Sequence, residues 1–212
     1  HYERHNANVA RAVHQLGEEA TAAYENARTK VAAFVGAPSR DEIVFTKNAS
    51  EALNLVANTL ASGLAADSRF RLGPGDDVVI TEMEHHSNIV PWQQLCARTG
   101  ATLKVIPMDD RGELLMDEYV KILGDRTAMV AVVHMSNALG TINPVDEIVR
   151  LAKAAGFKVV TNTTVYKETD MAEIEELYEF LRQFKVDGHT IAPAYGYSAV
   201  DDREIFLTRD DI

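Results

Sequence analysis

The chain has 212 residues, 46% of them apolar, enough to bury one substantial core or two small ones. Its 32 acidic and 21 basic residues leave a formal net charge of −11, which offers no basic surface to a nucleic acid and excludes that class of partner. A single cysteine excludes a disulfide framework, a CxxC redox pair and a metal cluster built on several thiolates, and no apolar run reaches the length of a membrane span.

In chain order, HYERHNANVA has no signal-peptide pattern, so a cytoplasmic protein is expected, and the start at His1 points to a piece of a longer or processed chain. EEATAAYENARTKVAAFVGA has apolar residues at helical spacing and ends near Gly36. EIVFT, residues 42–46, reads as a short strand, and NASEALNLVANTLASGL as a helix opening on good N-cap residues. GPGDDVVITEME predicts a turn and a strand ending near Thr81. NIVPWQQLCARTG predicts a helix with Pro91 in its first turn and a glycine at its end. TLKVIPM and TAMVAVVHMSN are apolar enough for strands buried on both faces. NPVDEIVRLAKAAG is a helix with Asn143 as cap and Gly156 past its end. FKVVT then reads as a strand followed by a polar turn, DMAEIEELYEFLRQF as a helix started by Asp170 and Glu173, and VDGHTIAPAY as a last strand. This alternation predicts an α/β fold with a mostly parallel sheet.

Three loops at strand ends carry candidate chemistry. In FTKNASEALNLVA, Ser50 and the amides around Ala49 suit an anion at a helix N-terminus, and they equally suit ordinary capping. In TEMEHHSNIVPW, two histidines at a strand tip can lay one imidazole over an aromatic ligand. The alternatives are polar loop residues or a metal site, the latter disfavoured because neighbours on an extended tip point in opposite directions. In VVHMSNALGTINP, Asn137 leaves a strand and can bond a ligand hydroxyl, or it serves the turn. The order, one loop after each successive strand, is stronger than any one loop.

Together ERHNANV, HQLGEEATAAYE, FTKNASEALNLVA, MEHHSNIVPWQ and SNALGTINP resemble the pyridoxal-phosphate-dependent cysteine desulfurases of the SufS type, in the class V aminotransferase superfamily. The resemblance covers residues 1–158. It implies a three-layer fold like an incomplete aspartate-aminotransferase large domain (PLP fold type I) and a homodimer. It further implies a transferase that takes sulfur from L-cysteine, leaving L-alanine, and hands it as a persulfide to an acceptor protein for iron–sulfur cluster assembly. By the same resemblance the cofactor is pyridoxal phosphate. His85 is the catalytic imidazole stacked on its ring, Asn137 the partner of its phenolic oxygen, and Ala49 with Ser50 the phosphate turn; no metal is implied. The family pattern near the N-terminus is closer to N-V-H-R-G-V-H, so Ala10 removes a substrate-side contact.

In GFKVVTNTTVYKETD the resemblance breaks. The family places there an aspartate that pairs with the pyridinium nitrogen, and this chain has Asn162, a neutral amide. The family's Schiff-base lysine context and persulfide cysteine are absent, and Cys96 reads as packed core. Residues from about 156 to 212, with 12 acids and 5 bases after Thr161, instead resemble a segment of the radical S-adenosylmethionine enzymes of hopanoid synthesis, without the cysteines those enzymes use. The expected organisation is therefore chimera-like: 1–158 a partial desulfurase-like domain, and 159–212 a βαβ-like tail of different origin continuing the same sheet. Inactivity of this chain alone is expected. The alternative is a non-catalytic α/β domain with weak pyridoxal phosphate binding or dimerisation.

Overall fold

The computed structural model describes residues 7–10, 13–35, 37–62, 71–157, 159–165 and 169–193. The chain divides into two compact units, His1–Phe45 and Thr46–Ile212. The expected boundary near 158 falls inside the second.

The first unit is built on α1 (Gln15–Val35), which buries Ala20 and Ala32. Arg28 fastens the chain that follows it. Its Nε donates to Ile43 O at 3.0 Å and its Nη1 to Glu25 at 3.0 Å, while Tyr24 meets Phe45 edge to face. The strand expected over 42–46 is absent. Arg40–Glu42 forms a 3-10 turn capped by Ser39, and no ladder partner reaches Ile43–Thr46 among the described residues, so the apolar run stays extended and unpaired. Ala10 has φ +67°, a left-handed backbone that costs an alanine about 1 kcal/mol, and its amide donates to Thr21 Oγ1 at 2.9 Å.

The second unit is an α/β layer structure. Its elements are α2 (Ala49–Ser62), β1 (Asp77–Thr81), α3 (Val90–Thr99), β2 (Thr102–Ile106), α4 (Met116–Ile122), β3 (Thr127–Ala131), α5 (Val145–Ala154), β4 (Val160–Val165), α6 (Met171–Gln183) and β5 (Gly188–Pro193). The strand order is β2-β1-β3, all parallel, with β1 in the middle. Every residue of β1 is buried, and alternation sends its side chains to two cores. Val78 and Ile80 pack with Ala57, Trp92 and Leu95 of α2 and α3. Val79 packs with Tyr119 of α4, Ile148 of α5 and Ile106. Helices therefore cover both faces, the three layers expected. Each fully buried valine or isoleucine of β1 contributes about 1.5–3 kcal/mol.

Within the β2-β1-β3 sheet, burial on both faces holds for β1 alone. Thr102 and Val105 of β2 are exposed and β3 is half-buried, because these strands flank the central one with no further ladder among the described residues. β4 and β5 pair with each other in parallel, joined through α6, and make a second, two-stranded sheet. β4, α6 and β5 form a βαβ unit, and among the described residues no ladder joins it to β1–β3. The strand also runs further than FKVVT suggests. Thr161 to Thr164 are ladder residues opposite His189 to Ala192, so Asn162 lies in mid-strand rather than in a turn. Threonine is a good strand former, and the ladder overrides the polar look of TNTT.

Candidate functional site

The switch in strand order fixes where the working loops meet. The chain leaves β1 for α3, on the Val78–Ile80 face, and leaves β3 for α5, on the Val79 face. Connections departing from adjacent parallel strands to opposite faces open a crevice at the strands' C-terminal ends, the place where open α/β sheets take ligands. His85 is on the loop after β1, and Asn137 on the loop after β3.

The loop after β1 is held by three side chains that composition did not single out. Glu82 accepts from Met108 N at 3.1 Å and so reaches the chain beyond β2. Glu84, 8% exposed, reaches the other way. Its Oε1 accepts from Thr81 Oγ1 at 2.6 Å and from Val133 N at 2.7 Å, and its Oε2 accepts from Asn88 Nδ2 at 2.8 Å. Asn88 Oδ1 in turn accepts from Trp92 Nε1 at 2.9 Å. Bonds of this kind to a carboxylate are the strong ones. They clamp the end of β1 to the end of β3 and to α3. An acidic residue three positions after a buried strand threonine is the one local hint of Glu84.

His85, exposed, caps the 3-10 turn His86–Asn88 through Nδ1, and its ring stacks on His86 with centroids 4.4 Å apart and planes 14° from parallel. The sequence expectation that the two rings point in opposite directions fails: His85 keeps extended dihedrals, but the chain enters the 3-10 turn at His86 and the two rings stack. No cluster of three metal-ligating side chains occurs among the described residues.

Asn137 sits in a tight turn. Ser136 N donates to Thr141 O, Gly140 N to Ser136 O and Leu139 N to Ser136 Oγ, while Gly140 has φ +73°. The Asn137 side chain is exposed and makes no hydrogen bond among the described residues, so the turn is built by Ser136 and leaves the amide available. Asn143 does not cap α5. Pro144 precedes that helix, and the buried Asn143 donates from Nδ2 to Val133 O at 2.8 Å and to Met83 Sδ at 3.3 Å. Its main-chain pull toward β3, through Asn143 N to His134 O at 2.7 Å, turns the side chain into the sheet end and away from the helix.

α2 packs against the 3-10 turn that follows His85. Asn48 caps it, accepting from Glu51 N at 2.9 Å, while Glu51 accepts from Lys47 N at 2.6 Å. Capping thus accounts for Asn48 and Glu51, and it leaves the amides of Ala49 and Ser50 and the exposed Ser50 hydroxyl without hydrogen-bond partners among the described residues. These are the groups a phosphate would use at a helix N-terminus. Asn162 is in mid-β4; its side chain lies outside what the structure describes. Cys96 is buried on α3, and burial, helped by the Asp77 charge, pushes its thiol above the ordinary range.

This is the fold and loop layout of an aminotransferase large domain. The aminotransferase class-V family matches residues 1–175, and the chain belongs to that family. Similar proteins within it include cysteine desulfurases. One, named "Probable cysteine desulfurase" in Streptomyces coelicolor, is 56% identical over 156 residues, 74% of this chain and 37% of that protein. Another of the same name in Mycolicibacterium paratuberculosis is 44% identical over 210 residues, 98% of this chain and 29% of the relative. The apo structure of a cysteine desulfurase from Thermococcus onnurineus NA1 superimposes with a TM-score of 0.62 at 43% identity, covering 76% of this chain and 38% of that one. The chain thus spans well under half the length of these relatives.

Proposed function

We propose that the second unit is one wall of a pyridoxal phosphate site of the cysteine desulfurase type. The observation that carries this reading is the change of face at the sheet's switch point, where His85 and Asn137 stand on the loops after two adjacent strands, β1 and β3, whose ends the Glu84–Val133 bond clamps together. The groups left unbonded fit the cofactor's parts. Two helix-end amides and the Ser50 hydroxyl suit its phosphate, an exposed imidazole suits its ring face, and the Asn137 amide suits its phenolic oxygen. The cofactor, when bound, supplies an electron sink for the substrate's Cα. His85 would lie over the ring and hold or move a proton. Asn137 would orient the ring, and Asn162 would stand at the ring-nitrogen position, where a neutral amide holds a proton less firmly than a carboxylate.

For the longer proteins of this type the reaction proposed is removal of sulfur from L-cysteine to leave L-alanine, with the sulfur carried on a protein thiol to an acceptor for iron–sulfur cluster assembly. Within these 212 residues the only thiol is Cys96, buried and held protonated, which is unsuited to attack. We therefore propose cofactor binding without complete turnover by this chain alone, with dimerisation and a cytoplasmic location following from family likeness. A separate origin for residues 156–212 is the second organisation proposed. It rests on the TNTT likeness and on Asn162, and against it weigh the family match through residue 175 and a relative aligned over 98% of the chain.

Titration of the purified chain with pyridoxal phosphate, with absorbance and borohydride-trapped peptides as readouts, tests the reading. Saturable binding lost in the double variant Ser50→Asp with Asn137→Ala is expected. Binding that is absent, or indifferent to both changes, overturns it.

A further inference from the structure

His85 has φ −66° and ψ 145°, and its Nδ1 accepts from the main-chain N–H of Ser87 at 3.1 Å while lying 2.8 Å from Ser87 Oγ. An amide N–H only donates, so Nδ1 must present its lone pair. A proton on Nδ1 would face the Ser87 proton, a donor against a donor. The hydroxyl rotates freely and can donate to the same lone pair. The neutral ring must then carry its proton on Nε2, an atom with no hydrogen-bond partner among the described residues. His86, stacked on one face, leaves the ring little freedom to rotate out of this arrangement.

We propose that Ser87 is a positioning residue, whose amide and hydroxyl together fix His85 as the Nε2–H tautomer and so turn a proton donor, not an acceptor, toward any ligand bound over the ring. The inference concerns the same imidazole as the proposed function, yet it holds for the chain without cofactor and is tested there.

The test uses the chain labelled with nitrogen-15 in histidine, free of pyridoxal phosphate, at a pH where the rings are neutral. Long-range proton–nitrogen correlations then report the tautomer of each ring, with the His85 signals identified by their loss in His85→Gln. His134, exposed and without a side-chain partner among the described residues, is the internal reference. His85 is expected to be more completely Nε2–H than His134. Ser87→Ala, which keeps the amide and deletes the hydroxyl, should move it part of the way toward the His134 mixture, and Ser87→Thr should restore it. A wild-type His85 indistinguishable from His134, or one unmoved by Ser87→Ala, overturns the proposal. A failure of pyridoxal phosphate to bind would overturn the proposed function and leave this result standing.

Discussion

Glu84 shows how a single buried carboxyl group can be tolerated and used. Three donors from three different segments converge on it, so the cost of desolvation is met by hydrogen bonds in place of water. Truncation would strand the Val133 amide and the Thr81 hydroxyl. Glu84→Ala is therefore expected to lower stability by about 2–4 kcal/mol, and Glu84→Gln, which keeps an acceptor, by less, as read from urea unfolding midpoints. An equal loss in both variants would argue against the acceptor that glutamine retains as the cause. His85, Asn137, Ala49 and Ser50 were legible as candidates because each lies in a short polar stretch after an apolar run. Glu84 was not, since its meaning depends on Val133, far along the chain and joined to it only when β1 and β3 pair. Asn143 misled for the same reason. Its place before Pro144 suggests a cap, while its bonds go back to Val133 and Met83.

Among the elements, α3 is legible at both ends because its signals are local: Pro91 in the first turn and Gly100 past the last. Gly100 has φ +80°, and a Cβ added there would sit 3.1 Å from Pro74 Cγ; Gly140, at φ +73°, would meet nothing within 4 Å. Gly100→Ala is expected to cost about 1–2 kcal/mol from backbone strain plus the contact, and Gly140→Ala about 1 kcal/mol from backbone strain alone. Thermal unfolding of the two variants side by side checks the order, and a larger loss for Gly140→Ala would contradict it. Elements that depend on partners were less legible. EIVFT has strand composition and no ladder, TNTT looks like a turn and is a strand, and α4, at seven residues, is too short to show a helical period.

At the scale of the molecule, alternating strands and helices predict a mostly parallel α/β sheet and the family resemblance its three layers, but neither says which strands flank the central one. Nor do they show the ion group at the far end of β1. There burial pushes the Asp77 carboxyl up, but the hydrogen bond from Lys104 at 2.8 Å and the charges of Arg126 and Lys104 outweigh it and hold the pKa below the ordinary carboxylate range. The folded state thus keeps this carboxylate ionised where the unfolded chain binds a proton. Its contribution is present above about pH 4 and is lost as pH falls through the folded value. At the other extreme, burial raises the Tyr119 hydroxyl to about 12 and raises Tyr178 as well. Unfolded tyrosine ionises near pH 10, so Tyr119 support is whole below that point and declines by about 1.4 kcal/mol per pH unit from roughly 10 to 12. Unfolding midpoints followed across pH should show both limbs. Asp77→Asn should flatten the acid one and Tyr119→Phe should reduce the alkaline one; limbs unchanged in these variants would mean other groups govern them.

Trp92 is the chain's one tryptophan, wholly buried and joined through Asn88 to Glu84. The molecule therefore carries its own optical gauge. A shift of the loop after β1 can reach this single indole through two hydrogen bonds, and its emission, excited beyond the tyrosine absorption, needs no label. Occupancy, loop rearrangement and loss of the Glu84 clamp can each be watched at one wavelength.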